Sequence, residues 1–341
     1  MSETSTRPAQ ISDVARTAGV SVGTVSNVLN HPDKVADTTR ARVQRVMAEL
    51  RFVPNVAARQ LRGGANLLVG ALLPDLRNPF FTDLARGLQD RLAEDGHLVM
   101  LAASDDDPER SAMFLRRFAE HGVTRVVAVP AHADLSPYTG LRERGVRVVL
   151  ADHPSTEPGI SSVAIDDVFG GSLAAAHLLE RGHRRIWFFN GPPTIRQATE
   201  RRAGVDRAVR AAGLDPLEVV HEVIVGTRDA SGGEAALVNK VNELGRTPEA
   251  VMCVNDLVAI GVQRALRRHG GTALATSVDV VGYDDIEVAR ELAIPLTSVR
   301  QPAYEMGRRA AELLLAETAT AEHVVFQPEL VVRASSVTPR A

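Results

Sequence analysis

Residues 10–30 have apolar side chains at the spacing of two short helices. The apolar face of the first helix consists of Ile11, Val14, Ala15 and Ala18. Gly19 follows, and glycine ends helices without strain because it tolerates a positive φ. Ser21 then stands where an N-cap residue would accept a hydrogen bond from a free backbone N–H. The buried side of the second helix is marked by Val25, Val28 and Leu29. Two short helices joined by a turn containing glycine predict a helix-turn-helix unit.

A third helix and a short fourth one are predicted next. Asp37 or Thr38 is a candidate N-cap of the third helix. Its apolar stripe consists of Val43, Val46, Met47 and Leu50. Pro54 interrupts the pattern, Asn55 is a candidate cap, and residues 56–62 have helical spacing. So short a helix is marginal in isolation, and we expect it to become ordered on contact with DNA or a partner.

From residue 67 onward, apolar runs typical of strands alternate with amphipathic helical stretches. The predicted strands are residues 67–74, 97–104, 124–130, 146–152, 162–167, 184–192, 221–227, 250–256 and 278–285. Such alternation predicts parallel sheets with helices on both faces. Some eleven strands are many for one sheet, so we expect an α/β core of two Rossmann-like lobes. Neither a GxGxxG fingerprint nor a GxxxxGK[ST] loop follows a strand, which argues against a nucleotide-dependent enzyme.

Polar residues follow several of the predicted strands, at the edge where open α/β sheets bind ligands. These residues are Asp75, Asp105, Asp152, Asp166, Asn255 and Asp284. Carboxylates and amides without metal-ligand spacing suit a hydroxyl-rich ligand such as a sugar. An aspartate at the end of a strand is about as often the N-cap of the next helix, so both interpretations stay open for each of them.

The net charge of −3 conceals an asymmetry between the two parts of the chain. Residues 1–62 contain nine basic and five acidic side chains, a balance of +4, which leaves −7 for the remainder. We therefore expect the basic part to contact DNA and the acidic part to avoid it. The single cysteine, the absence of an 18-residue apolar run and the polar N-terminus lead us to expect a cytoplasmic protein that does not contact a membrane.

The exposed face of the second helix has side chains suited to DNA. Thr24, Ser26 and Asn30 suit phosphate oxygens, which fix the register of a protein on the duplex. Val22 suits a thymine methyl and Asn27 suits an adenine edge, while Gly23 permits close backbone approach. Residues 19–23 also match G-x-S-x-G, the nucleophile elbow of serine hydrolases. That elbow requires a preceding strand, and a helical pattern precedes it here.

Residues 10–62 resemble the DNA-binding headpiece of the LacI/GalR family of bacterial transcriptional regulators. The resemblance rests on DVARTAGVSVGTVSNVLN, the following TRARV helix and PNVAARQL. It implies that Val22, Gly23 and Asn27 read bases, and that Leu61 inserts at the centre of an operator. The alternative for residues 54–65 is a plain linker. Asn27 stands where many family members have arginine, so a common half-site is not implied. The full set of candidate DNA contacts is Ser21, Val22, Gly23, Thr24, Ser26, Asn27, Asn30, Thr39, Asn55, Arg59 and Leu61.

The remaining chain resembles the family's effector domain, which is similar to periplasmic sugar-binding proteins. The matching motifs include PDLRNPFF, SDDDPER, ERRAG, VNDLVAIG and VGYDD. By resemblance, the effector-binding residues are Asp75, Phe80, Asp152, Ile195, Arg201, Arg228, Asn255, Asp284 and Gln301. Ile195 and Arg228 depart from the polar or aromatic residues of relatives. Arg228 either favours an anionic or phosphorylated effector or points to solvent.

The resemblance divides the chain into a headpiece (1–53), a hinge helix with linker (54–65) and a core (66–341). It places the N-lobe at about 66–162 and 298–324, and the C-lobe at about 163–297 and 325–341. It implies a homodimeric repressor that binds a pseudo-palindromic operator under control of a small, carbohydrate-like effector, and it leaves open whether that effector is an inducer or a corepressor. We expect no catalytic residue, cofactor or metal. The alternatives are a solute-binding protein of a transporter and an enzyme on a Rossmann-like scaffold.

The chain ends without a leucine-repeat tail, which favours a dimer over a tail-linked tetramer.

Overall fold

A computed structural model describes residues 7, 9–53, 67–316, 318 and 320–337. The chain forms two compact units, Met1–Asn66 and Leu67–Ala341. The predicted hinge contacts lie outside the described residues; they are Asn55, Arg59 and Leu61.

The described residues of the N-terminal unit form three helices around a small apolar core. They are α1 (Ile11–Ala18), α2 (Val22–Asn30) and α3 (Asp37–Glu49), with a 3-10 turn at Pro32–Lys34. Gly19 ends α1 with a φ of 63°, as its position predicted. The buried side chains come from all three helices: Val14, Ala15, Ala18, Val25, Val28, Val43 and Val46. The helix-turn-helix prediction is confirmed.

The ends of α2 and α3 show one correct capping prediction and one wrong one. Ser21 caps α2, since its Oγ accepts a hydrogen bond from the backbone N–H of Thr24 at 3.0 Å. The N-cap of α3 is Ala36, whose methyl group cannot accept a hydrogen bond, and Asp37 is already the first helical residue. The Asp37 carboxylate instead pairs with Arg40 at 2.7 Å, one turn along the helix. Its negative charge is also favourable near the positive end of the helix dipole.

The C-terminal unit is built on two six-stranded sheets. In chain order, the strands of the first sheet are β1 (Leu68–Leu73), β2 (Leu98–Ala103), β3 (Arg125–Ala128), β4 (Arg147–Ala151), β5 (Ser161–Ile165) and β11 (His323–Phe326). Those of the second sheet are β6 (Ile186–Asn190), β7 (Val220–Ile224), β8 (Ala250–Cys253), β9 (Asp279–Asp284), β10 (Thr297–Arg300) and β12 (Glu329–Val331). The spatial orders are β11-β5-β4-β3-β1-β2 and β12-β10-β9-β8-β6-β7.

Every pairing in these two sheets is parallel except that of β12 with β10. The connecting helices are α4 (Pro79–Ala93), α5 (Pro108–Glu120), α6 (Ser136–Glu143), α7 (Asp167–Glu180), α8 (Arg196–Ala211), α9 (Pro216–Val219), α10 (Ala230–Leu244), α11 (Asp256–Ser277), α12 (Glu287–Arg290) and α13 (Ala303–Leu315). Each sheet has a buried apolar cluster on each of its two faces. The prediction of an α/β core with two lobes is confirmed.

The lobe boundaries differ by a few residues from the expected ones. The expected change at 162/163 falls inside β5, all of whose pairings lie in the first sheet. The expected change at 297/298 falls inside β10, which pairs with β9 and β12 in the second sheet. Residues 324/325 likewise fall inside β11. Backbone pairing decides which sheet a strand joins, and an apolar run alone does not reveal its pairing partner.

The chain consequently passes between the lobes near residues 166, 301–302 and 327–328. Within the described residues, no helix is both long and apolar enough to cross a bilayer.

Candidate effector cleft and DNA-reading helix

A cleft lies beyond the carboxyl ends of strands from both sheets in the C-terminal unit. Its inner chamber has a volume of about 30 Å³. Eight of the nine predicted effector residues line it: Phe80, Asp152, Ile195, Arg201, Arg228, Asn255, Asp284 and Gln301. The ninth, Asp75, lines an adjacent outer chamber of about 370 Å³. The predicted residues therefore meet in one region, although they come from segments throughout the core.

Aspartates with unusual backbone conformations surround this cleft. Among the described residues, six non-glycine residues have a positive φ, and five of them are aspartates at or just beyond the carboxyl ends of strands: Asp105, Asp106, Asp152, Asp284 and Asp285. Aspartate tolerates the left-handed region better than most residues, but the φ of 110° at Asp284 is rare for any residue with a Cβ. Such conformations persist where the surrounding structure holds them, and they concentrate at functional sites.

Arg201 is held rigidly in the wall of the cleft. Its Nε donates to Asp167 Oδ1 at 2.8 Å, and another guanidinium nitrogen donates to the carbonyl of Val254. The guanidinium carbon lies 3.6 Å from the ring centroid of Tyr283, a cation–π geometry. Tyr283 in turn donates from its hydroxyl to Asp167 Oδ1 at 3.1 Å. Burial disfavours the charge of Arg201, but the adjacent Asp167 more than offsets this effect and raises the pKa of the guanidinium.

Asp152 joins the two lobes from the end of β4. Its Oδ2 accepts a hydrogen bond of 2.9 Å from Nε2 of Gln197 in the first turn of α8. Its backbone carbonyl accepts from Gln197 at 2.8 Å and from Arg196 at 3.3 Å. Burial, reinforced by the nearby charge of Asp167, raises the pKa of Asp152 to about 7. This carboxyl group therefore changes protonation near neutral pH.

Asp284 forms a second connection between the lobes. Its Oδ2 accepts from Nδ2 of Asn78 at 3.1 Å, and its Oδ1 accepts from Nε2 of Gln301 at 2.7 Å. Asn78 belongs to the first lobe, and Gln301 lies where the chain passes between the lobes. Burial raises the pKa of Asp284 to about 6, partly countered by the charge of Arg201.

Arg228 forms a third connection, at the outer side of the cleft. Its guanidinium forms an ion pair with the carboxylate of Asp106 from the other lobe. Both residues line both the inner and the outer chamber. The expected alternatives for Arg228 were an anion contact or a solvent-facing side chain, and the structure instead pairs it with an acidic residue.

Three buried acceptor oxygens in the cleft have no hydrogen-bond donor within the described part of the chain: Asp106 Oδ1, Asp152 Oδ1 and Gln301 Oε1. A buried polar atom without a partner is costly, by about 1–3 kcal/mol. A ligand that donates hydrogen bonds from hydroxyl groups would satisfy these oxygens. The described residues contain no cluster of His, Cys, Asp or Glu that would hold a metal ion.

The other strand-end polar residues have structural partners. Asp166 caps α7 by accepting from the backbone N–H of Phe169 at 2.7 Å. Asn255 caps α11 by accepting from Val258 at 2.9 Å, and it also lines the cleft. Asp105 forms an ion pair with Arg110 at 2.5 Å. Capping and cleft lining therefore occur together at Asn255, whereas Asp166 does not line either chamber.

Three further residues line the cleft that were not predicted from the sequence, namely Asn78, Asp106 and Gln197. Asn78 stands before the proline that begins α4, and it also caps that helix through a hydrogen bond from Phe80 at 3.1 Å. Asp106 is the second of three consecutive aspartates after β2, and nothing in the sequence distinguishes it from Asp105, the predicted residue. Gln197 has no signal in the sequence beyond its place in the first turn of a helix.

In the N-terminal unit, α2 exposes the residues expected to read bases. Val22 has a relative exposure of 43%, a large value for an apolar side chain, and Gly23 and Asn27 are also exposed. The opposite side of α2 buries Val25 and Val28 in the three-helix core. The side of the helix that carries the candidate contacts is therefore accessible to a ligand.

The residues expected to contact phosphates are already hydrogen-bonded to one another. The hydroxyls of Ser21 and Thr24 lie 2.9 Å apart, and Asn30 donates to the backbone carbonyl of Ser26 at 3.0 Å. Thr39 lies half-buried in the first turn of α3. Hydroxyl and amide groups can form more than one hydrogen bond. These pairs therefore orient the polar side chains of α2 and still leave them able to bond to phosphate oxygens.

Comparison with known proteins identifies the family. Residues 10–55 match the family model of bacterial regulatory proteins of the lacI family, and residues 175–336 match the periplasmic binding protein-like domain. The ribose operon repressor of Bacillus subtilis (strain 168) is 35% identical over 308 residues, which cover 90% of this chain and 91% of that protein. The chain belongs to the LacI family. It is a DNA-binding transcriptional regulator, and its relatives are regulators rather than enzymes. The enzyme and transporter alternatives are therefore wrong.

Solved structures of this family have the same fold. The lac repressor dimer bound to operator and the anti-inducer ONPF covers 97% of this chain and 100% of its own, with 26% identity and a TM-score of 0.81. The complex of the transcriptional regulator CelR with cellobiose covers 96% and 100%, with 31% identity and a TM-score of 0.69.

Proposed function

We propose that this LacI-family regulator is a repressor whose affinity for its operator is controlled by a small, hydroxyl-rich effector, a sugar or sugar derivative, bound in the cleft. The observation that carries the proposal is the set of buried acceptor oxygens lining a cleft between two lobes. Ribose and cellobiose appear in the names of two similar proteins, which supports a carbohydrate for this chain.

On the DNA side, we propose that α2 enters the major groove and that Val22, Gly23 and Asn27 face the base edges. Ser21, Thr24, Ser26, Asn30 and Thr39 would contact the backbone of the duplex. An asparagine can pair bidentately with adenine, so Asn27 would specify an A·T pair in each half-site. The exposure of Val22 and Asn27 on the side of α2 opposite the core supports this arrangement.

We further propose that the protein acts as a homodimer on a pseudo-palindromic operator. The outermost strands β2 and β7 occupy corresponding edges of the two sheets. They expose apolar side chains, including Leu98, Leu101 and Ile224. Exposed apolar groups on edge strands favour association with another chain. The dimeric state of the lac repressor structure supports the same assembly here.

For the hinge, we propose that Leu61 inserts at the centre of the operator and that Asn55 and Arg59 also contact the DNA. Apolar wedges partly unstack base steps and kink the duplex. The variant Leu61→Ala is expected to weaken binding to the operator far more than binding to random duplex. Equal losses on both DNAs would exclude the wedge role.

Coupling between cleft and DNA requires that the effector prefer one arrangement of the two lobes. The residues that connect the lobes through hydrogen bonds and ion pairs also line the cleft, so a ligand there competes with or reinforces those connections. A coupling typical of allosteric proteins would change operator affinity by about 5–150-fold.

The deciding experiment is selection of bound genomic fragments by the purified full-length protein, followed by gel shifts of the selected fragments over a range of salt concentrations. We expect one palindromic motif with A·T pairs facing Asn27. We also expect a gel shift that is strengthened or weakened by a sugar that the products of the neighbouring genes act on. A protein that selects no fragment, with or without sugars, would contradict the proposed function.

A further inference from the structure

We infer that Arg228 and Asp106 form a latch across the mouth of the cleft and restrict the effector to an uncharged hydroxyl donor. This inference rests on the proposed function, because it concerns the effector of the same cleft. A lone arginine in a binding cleft suggests a contact with an anionic ligand, whereas Arg228 in this arrangement disfavours such a ligand. The latch consists of Arg228 from the second lobe and Asp106 from the first.

The charges that line the cleft disfavour an anionic ligand. The described residues lining the inner chamber contribute three carboxyl groups and two guanidinium groups: Asp106, Asp152, Asp284, Arg201 and Arg228. Both guanidinium groups already have a carboxylate partner, since Arg201 pairs with the fully buried Asp167 and Arg228 pairs with Asp106. A phosphate or carboxylate would have to displace one of these partners and lie near the remaining acids.

The buried oxygens without a partner require a ligand that donates hydrogen bonds. One oxygen of Asp106 is paired with Arg228, and its other oxygen is buried without a partner, as is Oδ1 of Asp152. Hydroxyl groups of an uncharged polyol would donate to both oxygens while leaving the ion pair in place. The second oxygen of Asp106 would then recognise the effector while the first keeps the cleft closed.

Each half of the latch is anchored within its own lobe. His132 Nε2 donates to the backbone carbonyl of Asp106 at 3.0 Å. Asn255 Nδ2 donates to the carbonyl of Arg228 at 3.0 Å. Gly191 leaves room for the stem of Arg228, because a Cβ at that position would lie 3.3 Å from its Cδ. The ion pair therefore joins two separately anchored loops.

The three consecutive aspartates after β2 have separate functions. Asp105 pairs with Arg110 in its own lobe. Asp107 caps α5 by accepting from the backbone N–H of Glu109 at 2.8 Å. Asp106, between them, is turned toward the other lobe by positive φ angles of 52° and 59° at residues 105 and 106. A local structural role therefore accounts for the two neighbours, and the latch accounts for Asp106.

The first test needs neither an effector nor DNA. Hydrogen exchange is measured on the ligand-free full chain for the wild type, Asp106→Asn, Arg228→Gln, the double variant and the charge swap Asp106→Arg/Arg228→Asp. A latch predicts that each single variant speeds exchange in both segments 104–107 and 226–232, by about two- to fivefold. It also predicts that the double variant equals the single ones, and that the swap restores protection.

Arg77→Gln is the matched control, because Arg77 pairs with Asp75 at 2.9 Å in the same outer chamber but within one lobe. Its effect should be confined to its own loop. Single latch variants whose effects are confined to their own loops, or that add up in the double variant, would overturn the latch.

The second test addresses the charge of the effector by calorimetry with D-ribose, D-galactose and cellobiose, and with D-ribose 5-phosphate and D-galactose 1-phosphate. We expect an uncharged sugar to bind more tightly than its phosphate, and Arg228→Gln to weaken the binding of that sugar without reversing the preference. A phosphate that binds the wild type more tightly, and loses this advantage in Arg228→Gln, would overturn the inference. Failure of the proposed function would instead appear as failure to select DNA, which leaves the exchange result valid.

Discussion

The DNA-reading helix and the effector cleft are both built from short polar side chains, but they are assembled over very different distances along the chain. On α2, the contacts that orient the polar side join residues three or four positions apart, such as Ser21 with Thr24. In the cleft, Asn78 meets Asp284 across 206 positions. The first surface is determined by helical geometry alone, whereas the second exists only after two sheets have formed. Substitutions in the cleft should therefore affect stability and ligand response together, whereas substitution of an exposed base-reading residue of α2, such as Asn27, should affect DNA recognition alone.

The largest effect is expected from Arg201→Met. This variant leaves the fully buried carboxylate of Asp167 without its main cation, and breaking a buried ion pair costs about 3–5 kcal/mol. Urea unfolding of the full chain, followed by the fluorescence of Trp187, measures the effect, because the single tryptophan is buried in the core. The double variant Arg201→Met/Asp167→Asn should recover much of the loss. If Arg201→Met had the same midpoint urea concentration as the wild type, the ion pair between Arg201 and Asp167 would not stabilise the fold.

A pH-dependent effect of about 3 kcal/mol between pH 5 and 7 is expected from Asp152→Asn, at about 1.4 kcal/mol per pH unit for one proton. Burial raises the pKa of Asp152 to about 7, so the native protein binds a proton that the unfolded chain has already released. This group's contribution to stability therefore falls as pH rises from about 4, near the pKa of the unfolded carboxyl, to about 7, and is constant above that range.

The measurement for Asp152 is the difference between wild type and Asp152→Asn in free energy of unfolding, taken at several pH values. Burial lowers the pKa of His153 and His177, which gives stability the opposite dependence on pH. Because this contribution is present in both proteins, it cancels in the difference. Parallel curves for the two proteins between pH 5 and 7 would contradict the prediction.

Asn27→Ala is expected to cost about 1–3 kcal/mol in operator binding and nothing in the stability of the core, because its amide would pair with one base edge. Fluorescence anisotropy with operator and random duplex measures the loss, which should appear on the operator alone. Gln44→Ala is the control, since Gln44 is an exposed amide on α3 that is not among the proposed DNA contacts. Equal losses for the two variants would mean that Asn27 does not read a base.

The smallest effect is expected from Ser21→Ala, which removes the N-cap of α2 and should destabilise that helix by about 1 kcal/mol. Amide exchange over residues 22–30 of the full chain measures it. Thr38→Ala is the matched control: α3 begins at Asp37 without a side-chain cap, so exchange in α3 should not change. Faster exchange in α3 for that variant would show that Thr38 does cap.

Much of the fold could be predicted because its signals are local. Gly19 and Ser21 mark the end of one helix and the start of the next, and apolar runs locate nine of the twelve strands that the described residues form. The three strands missed are β10 and the two short strands after residue 320, and the exact crossings between lobes could not be located in this way either. Strand partners are chosen by backbone hydrogen bonds between distant segments, and an apolar run does not encode them.

The candidate site shows the same division. The resemblance to a family located Arg201 and Asp284, but only the structure revealed that Asp167 and Tyr283 hold Arg201 in place. The sequence presented Arg228 as a cation with two alternative roles, and the fold placed an aspartate from the other lobe against it.

By itself, the sequence determined the helix-turn-helix, the α/β core of two lobes and the side of α2 that is available to DNA, because helical and strand periodicity act over a few residues. The tertiary structure decided which carboxylates are buried, which oxygens lack donors and which charges neutralise one another. These properties depend on the approach of segments up to two hundred residues apart, and on the water excluded when those segments meet.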